Sequence, residues 1–274
     1  IEEMHRFSND PVMAGNSFHW DVLRLFFEIK QGINKTVLAG HKDIKAIGID
    51  TWGVDFGLFD KNGKLLGNPY HYRDTRTSGM IDLADQMMGK KYIFDKTGIQ
   101  FNFFNTLFQF MAMKKENDPV LGIADKMLFM PDIFNYLLTG VMKNEYSIAS
   151  TSQLLNVKTK DWDKELMEKA SIPTDIFGEI VMPGTVIGEL SDDICEELGC
   201  PKIPVVAVGS HDTASAVASV PVTEDYKYAY ISTGTWALMG SELDSPNVTD
   251  TTFQYDFTNE GGVCGKIRFL KNIM

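Results

Sequence analysis

Apolar residues recur at steps of three and four through Trp20, Leu23, Phe26, Phe27, Ile29 and Ile33, the spacing of one buried helical face. Gly32 weakens the last turn of that helix. Two short apolar runs of strand length follow, Ile44 to Asp50 and Val54 to Asp60, on either side of Thr51-Trp52-Gly53. The second ends in Asp60-Lys-Asn-Gly63, a composition that commonly turns a hairpin. Residues 77–94 and 106–117 read as helices, joined by the aromatic, Asn-rich stretch from Gly98 to Thr106. A further helix is expected over 125–139, with Pro131 in its first turn and Gly140 as its stop. Segments 162–170 and 191–199 are amphipathic; in the latter Ser191 suits the N-cap, Asp192 and Asp193 the first turn and Gly199 the end.

Pro204-Val-Val-Ala-Val208 then reads as a buried strand that empties into Gly209-Ser-His-Asp-Thr213 and an Ala-rich helix over 214–220. A second strand, Tyr228 to Thr233, leads into Gly234-Thr235 and a run over 236–240, and the closing run from Ile267 is expected to be helical. Strands and helices alternating at these lengths predict an α/β architecture. The expected change of domain lies near Pro221, giving units 1–220 and 221–274.

Composition narrows the partners. The 274 residues carry a formal charge of −11 and 44% hydrophobic residues, which suits a globular chain of about two domains. The acidic balance, with no dense Lys/Arg segment, disfavours nucleic acid and anionic membrane surfaces. No apolar stretch approaches the roughly 20 residues that span a bilayer, so the expectation is a cytoplasmic protein without a membrane partner. Cys195, Cys200 and Cys264 form no CxxC pair, which argues against a disulfide framework or a structural zinc. His5, His19, His41 and His71 show no metal-ligand spacing, and no metal site is expected. Both chain ends read as cut.

Candidate chemistry gathers at strand ends. A carboxylate such as Asp212, just past an apolar strand, sits where open α/β sheets hold ligands and can accept a proton from a substrate hydroxyl; the alternative is a simple helix cap. Ser232-Thr233-Gly234-Thr235 offers backbone N–H groups and hydroxyls suited to a phosphate, though such turns also join strands that bind nothing. Asp50-Thr-Trp-Gly53 supplies a carboxylate, an indole and a glycine suited to a sugar, or else a hairpin with a core tryptophan. Tyr72-Arg-Asp-Thr-Arg76 suits anion contacts or a salt bridge, and Gly261-Gly262 suits a close approach or a surface turn. Neither GxxxxGK[ST] nor GxGxxG occurs.

Taken together, Ile49-Asp-Thr-Trp-Gly-Val-Asp55, Tyr72-Arg-Asp-Thr-Arg76, Met130-Pro-Asp-Ile-Phe-Asn-Tyr-Leu-Leu-Thr-Gly140, Ala149-Ser-Thr-Ser-Gln-Leu-Leu-Asn156, Gly209-Ser-His-Asp212, Ser232-Thr-Gly-Thr-Trp236 and Asn259-Glu-Gly-Gly262 resemble, in order and spacing, the rhamnulokinase branch of the FGGY carbohydrate kinases. The resemblance implies the actin-like, ribonuclease-H-like ATPase fold, with two α/β domains around a cleft. It implies transfer of the ATP γ-phosphoryl group, with Mg²⁺, to the 1-hydroxyl of L-rhamnulose, yielding L-rhamnulose 1-phosphate in rhamnose catabolism. Asp212 matches the general base. Gly53, Trp52, His211, Thr213 and Asn272 match the sugar side, and Gly234 with Thr235 the ATP phosphates. The family's Gly/Ser-rich phosphate loop and the later adenosine loops have no counterpart in this chain, so the chain alone is expected to be inactive. Kinases of another ketose, such as xylulose or fuculose, and a non-catalytic sugar-binding module are the alternatives; the oligomeric state is left open.

Overall fold

A computed structural model describes residues 1–41, 43–222, 227–234 and 237–273. The first long helix, Val22–Leu38, starts where the Asp21 carboxylate accepts the Arg24 N–H at 3.1 Å. Its buried stripe is narrower than expected: Val22 and Leu25 are enclosed, but Leu23 and Phe27 face solvent. The helix begins two residues after Trp20, so Trp20 is not part of its face, and the enclosed face runs through Val22, Leu25 and Glu28. Trp20 itself packs in the core ahead of the helix.

Non-local pairing redraws other expected elements. The segment 77–94 is two helices, Met80–Met88 and Lys90–Thr97, broken at Gly89, whose φ of +84° only glycine adopts readily. Of 125–139, the first part is the strand Lys126–Phe129, antiparallel to Phe56–Phe59, and the helix is Met130–Thr139. Pro131 does lie in the first turn, and Gly140 ends the helix in the left-handed conformation. Asp161–Trp162 is strand, and the following helix is Lys164–Lys169, capped by Asp163. Asp192–Leu198 is a helix capped by Ser191 and ended by Gly199, as expected. The Ala-rich helix starts earlier than expected, as Asp212–Ala218.

The closing run, expected to be helical, is instead the strand Ile267–Asn272. It lies inside a four-stranded antiparallel sheet, between Ala237–Leu243 and Thr258–Gly261, with Tyr230–Thr233 beyond the former. Pairing along its whole length on one side and over Ile267–Leu270 on the other outweighs local helical spacing.

The main core forms around the helix Thr106–Lys115, in which every residue from Thr106 to Met113 is buried. Burial of each large apolar side chain there contributes about 1.5–3 kcal/mol. A second sheet has the order Val186–Glu189, Pro204–Val206, Ile47–Gly48; its last two strands are parallel, pairing Val205 with Ile47 and Val206 with Gly48. That parallel pair positions the site, because both strands leave the sheet at the same end.

Candidate active site in the cleft

Past the parallel strands the two emerging loops stay laced together. Thr51 N–H donates to the Ser210 carbonyl at 2.9 Å, and Asp212 N–H donates to the Thr51 carbonyl at 2.8 Å. The Asp50-Thr-Trp-Gly53 and Gly209-Ser-His-Asp-Thr213 segments, distant in sequence, thereby form one floor. Gly209 is needed in it, since a Cβ would meet Val263 Cγ1 at 3.1 Å and Ala214 Cβ at 3.2 Å. The alternative for Asp50-Thr-Trp-Gly53, a hairpin, does not occur: the flanking strands pair with partners elsewhere.

Above the floor opens a cleft of about 360 Å³. Trp52, Gly53, Tyr72 and Phe104 line one wall, and Ser232, Thr233, Gly234 and Asn272 the other; His211, Asp212 and Thr213 lie between. Trp52, Gly53, His211, Asp212, Thr213, Gly234 and Asn272 all reach this cavity, whereas Asp50, Arg76, Gly261 and Gly262 do not line it; Thr235 lies outside the described residues. The Asp212 side chain is 56% exposed there, and Thr213 Oγ1 donates to its Oδ1 at 3.1 Å. Asp212 follows His211, which holds the N-cap position without a side-chain cap bond, so the carboxylate is free of the alternative capping role. Partial desolvation and the Asp212 charge push the Asp50 carboxyl above its ordinary range. Thr258 Oγ1 and Asn272 Oδ1 are buried in the cleft lining without a hydrogen-bond partner among the described residues, the condition a hydroxyl-rich ligand would relieve.

Two buried carboxylates and one partly buried one, unnoticed in sequence, hold these walls. Asp55 accepts the Trp20 indole N–H (2.6 Å), the Trp52 indole N–H (3.0 Å), the Tyr72 N–H (3.0 Å) and the Gln109 amide (3.0 Å). Its one side chain thus fixes two cleft aromatics. Glu145 accepts from Ser147 Oγ (2.6 Å) and from the Ser210 N–H (3.2 Å), while Ser147 Oγ accepts the His211 N–H (3.2 Å). Burial raises the Glu145 carboxyl above its usual range. Glu260 pairs with the fully buried Arg268 at 2.9 Å. Burial alone would raise Glu260, but the Arg268 guanidinium beside it overrules that and holds the carboxyl below its usual range.

Strain also collects here. Val54, a β-branched residue, has φ of +67°, and is held there by Thr151 Oγ1 accepting its N–H (3.1 Å) and by Thr106 Oγ1 donating to its carbonyl (2.7 Å). Arg76, expected to bind an anion or pair with acid, instead bonds Gln109 at 2.8 Å and stacks over Tyr70. Asp74 caps the short 3₁₀ turn Thr75–Thr77. Gly261 is a close approach: its N–H donates to Ser150 Oγ at 2.7 Å, and a Cβ would lie 2.6 Å from the Tyr146 ring.

The profile of the FGGY family of carbohydrate kinases, N-terminal domain, matches residues 11–218. The chain belongs to the FGGY family of carbohydrate kinases. It is 46% identical over 273 residues to a rhamnulokinase of Bacteroides thetaiotaomicron, covering 100% of this chain and 56% of that protein. It is 43% identical over 274 residues to a rhamnulokinase of Oceanobacillus iheyensis, covering 57% of that protein. The chain therefore spans little more than half the length of these relatives. Among solved structures, a ligand-bound xylulose kinase from Lactobacillus acidophilus superposes with a TM-score of 0.85 at 17% identity, covering 97% of this chain and 54% of that one. Plasmodium falciparum glycerol kinase with ADP gives 0.79 at 17% identity, covering 97% and 55%. The FGGY chain has the actin-like, ribonuclease-H-like fold expected from its sequence.

Proposed function

We propose that this FGGY chain carries the sugar site and general base of an ATP-dependent ketose kinase, with L-rhamnulose as the ketose and L-rhamnulose 1-phosphate as product. The supporting observation is the exposed Asp212 carboxylate, set by the Thr51 lacing between an aromatic wall and the hydroxyl-bearing Ser232–Gly234 turn. Asp212 accepts the proton of the C1 hydroxyl as that oxygen attacks phosphorus; positioning and charge stabilisation supply the rest. Trp52 and Gly53 form the face against which the sugar lies, and His211, Thr213 and Asn272 hydrogen-bond its hydroxyls. Gly234 and Thr235 contact the phosphates. ATP with Mg²⁺, when bound, supplies the γ-phosphoryl group and neutralises its charge. Among the described residues no group of three or more His, Cys, Asp or Glu side chains is placed to hold a metal, so the magnesium is read as part of the nucleotide substrate.

The reading divides the chain near residue 220, the sugar unit before it and the nucleotide unit after. No helix among the described residues is long and apolar enough to cross a membrane; the cytoplasm, where ATP and ketoses meet, is the proposed compartment. The rhamnulokinase relatives favour L-rhamnulose over the xylulose named for the structural neighbour, whose identity is too low to argue substrate.

Trp52 reports on the sugar directly. Titrating L-rhamnulose into the protein is expected to change its tryptophan fluorescence saturably, with D-xylulose at least tenfold weaker, since misplaced hydroxyls leave buried polar groups unpaired. The Trp52→Phe variant is expected to lose most of the signal. A response equal for all ketoses, or none, would contradict the assigned substrate.

A further inference from the structure

The chemistry of one fully buried guanidinium decides where a proton sits in the cleft. Arg268 lies in the strand Ile267–Asn272 and is 0% exposed. Its Nε donates to the Gly261 carbonyl at 2.9 Å, and its Nη2 lies 2.9 Å from Glu260 Oε2 and 2.9 Å from His211 Nδ1. A guanidinium has N–H donors and no acceptor, and it does not deprotonate in proteins. The Nη2 contact with Nδ1 can therefore be a hydrogen bond only if Nδ1 offers its lone pair.

The competing arrangement puts a proton on Nδ1 and aims it at Glu260 Oε2, 3.2 Å away. It would set an imidazole N–H against a guanidinium N–H at 2.9 Å, in a largely enclosed site. With Nδ1 unprotonated, an Nη2 hydrogen satisfies the imidazole, while Glu260 Oε2, 2.9 Å from Nη2 but without a hydrogen bond among the described residues, pairs with the guanidinium by charge. Glu260 keeps the guanidinium aligned and its charge balanced.

We propose that Arg268 is a positioning residue that fixes His211 as its Nε2–H tautomer, so that the imidazole presents a donor to the cleft beside Asp212. The Nε2 atom lies 3.6 Å from Asp212 Oδ1. It is thus placed to donate to a ketose hydroxyl, or to the carboxylate that takes the reacting proton, and it offers no competing acceptor there. The second tether on the same residue, the backbone N–H of His211 to Ser147 Oγ at 3.2 Å, fixes the main chain and leaves the ring's orientation to Arg268. Arg268 and Glu260 belong to the four-stranded sheet, so the donor is set only when that sheet is seated against the catalytic loop. The role toward the ketose rests on the kinase reading; the position of the proton does not.

The test is ¹⁵N–¹H long-range correlation NMR of the protein labelled at histidine, recorded without substrate at pH 7.5, with His211 assigned through His211→Gln. The expected spectrum shows His211 as the Nε2–H tautomer. An Nδ1–H tautomer or an imidazolium overturns the proposal in the native protein, whatever becomes of any variant. Arg268→Met is expected to give mixed tautomers, and Arg268→Lys, which keeps a cationic donor, to restore part of the native pattern. In a protein of the relatives' full length carrying this chain, Arg268→Met is expected to raise the ketose KM about tenfold, the loss of one ordinary hydrogen bond, with the ATP KM changed less than about twofold. An unchanged tautomer and ketose KM in Arg268→Met also overturns it. The expected tautomer in a protein that phosphorylates no ketose would sink the kinase reading and leave the proton placement standing.

Discussion

Asp212→Asn, in a protein of the relatives' full length carrying this chain, is expected to lower kcat by about 10³-fold and leave ketose affinity within about twofold. The substitution is isosteric and changes little except basicity. The Asp212 N–H bond to the Thr51 carbonyl is main chain and survives, and an amide oxygen still accepts from Thr213 Oγ1. With the side chain largely in the open cleft, the variant carries no buried unpaired charge that would confound the result by unfolding. What it lacks is a group that can take the hydroxyl proton in the transition state. Rapid-quench measurement of phosphoryl transfer beside equilibrium titration of the ketose separates the two effects. Turnover within about tenfold of the parent would mean that the proton leaves by another route, and Asp212 would revert to a loop residue.

Asp55→Ala is expected to cost about 3 kcal/mol or more of unfolding free energy at pH 7, because four N–H donors lose a common acceptor inside the fold. The loss reaches the site, since Trp52 and Tyr72 are released together, and ketose affinity is expected to fall with it. The pH dependence carries a distinct sign. Burial pushes the Asp55 carboxyl up to about 6, against its hydrogen bonds, which act to lower it. The native state thus keeps this proton at pH values where the unfolded chain has released it, so Asp55's contribution to stability falls as pH rises from about 4 to about 6 and is level above 7. Between pH 5 and 7 the decline is on the order of 1 kcal/mol. Urea unfolding of the parent and Asp55→Ala across this range should show their difference narrowing by that amount toward neutrality. A difference that stays flat from pH 5 to 7 would mean that the four donors hold Asp55 ionised throughout.

Local signals in the sequence carried the caps and stops well: Ser191, Gly199, Pro131 and Gly140 each depend on a few neighbouring residues, and the structure places all four as their chemistry suggests. The clustering of Trp52, Gly53, His211, Asp212 and Asn272 in one cleft followed from family likeness; pattern alone left each with a plain structural alternative. Elements decided by distant partners were misread. Lys126–Phe129 is a strand because Phe56–Phe59 pairs with it, and Ile267–Asn272 because strands on both sides do. The same cause hid the supporting carboxylates. Glu145 lies 65 residues from the Ser210 N–H it accepts, and Arg268 lies 57 from His211. Asn259-Glu-Gly-Gly262 attracts attention for its glycines, yet the glutamate between them carries the ion pair that orients Arg268. The available hint was an arginine within the apolar run Ile267-Arg-Phe-Leu270, a charge that burial could tolerate only with an acidic partner.

The most direct measurement follows ATP consumption and product identity together: ADP release with ATP, Mg²⁺ and a panel of ketoses, and ³¹P NMR of the sugar product, in a protein of the relatives' full length carrying this chain. The account predicts rapid turnover with L-rhamnulose, a single phosphate ester at C1, and loss of both in Asp212→Asn. Turnover with every ketose except L-rhamnulose, an ester at another carbon, or no ketose-dependent ADP release at all would contradict it.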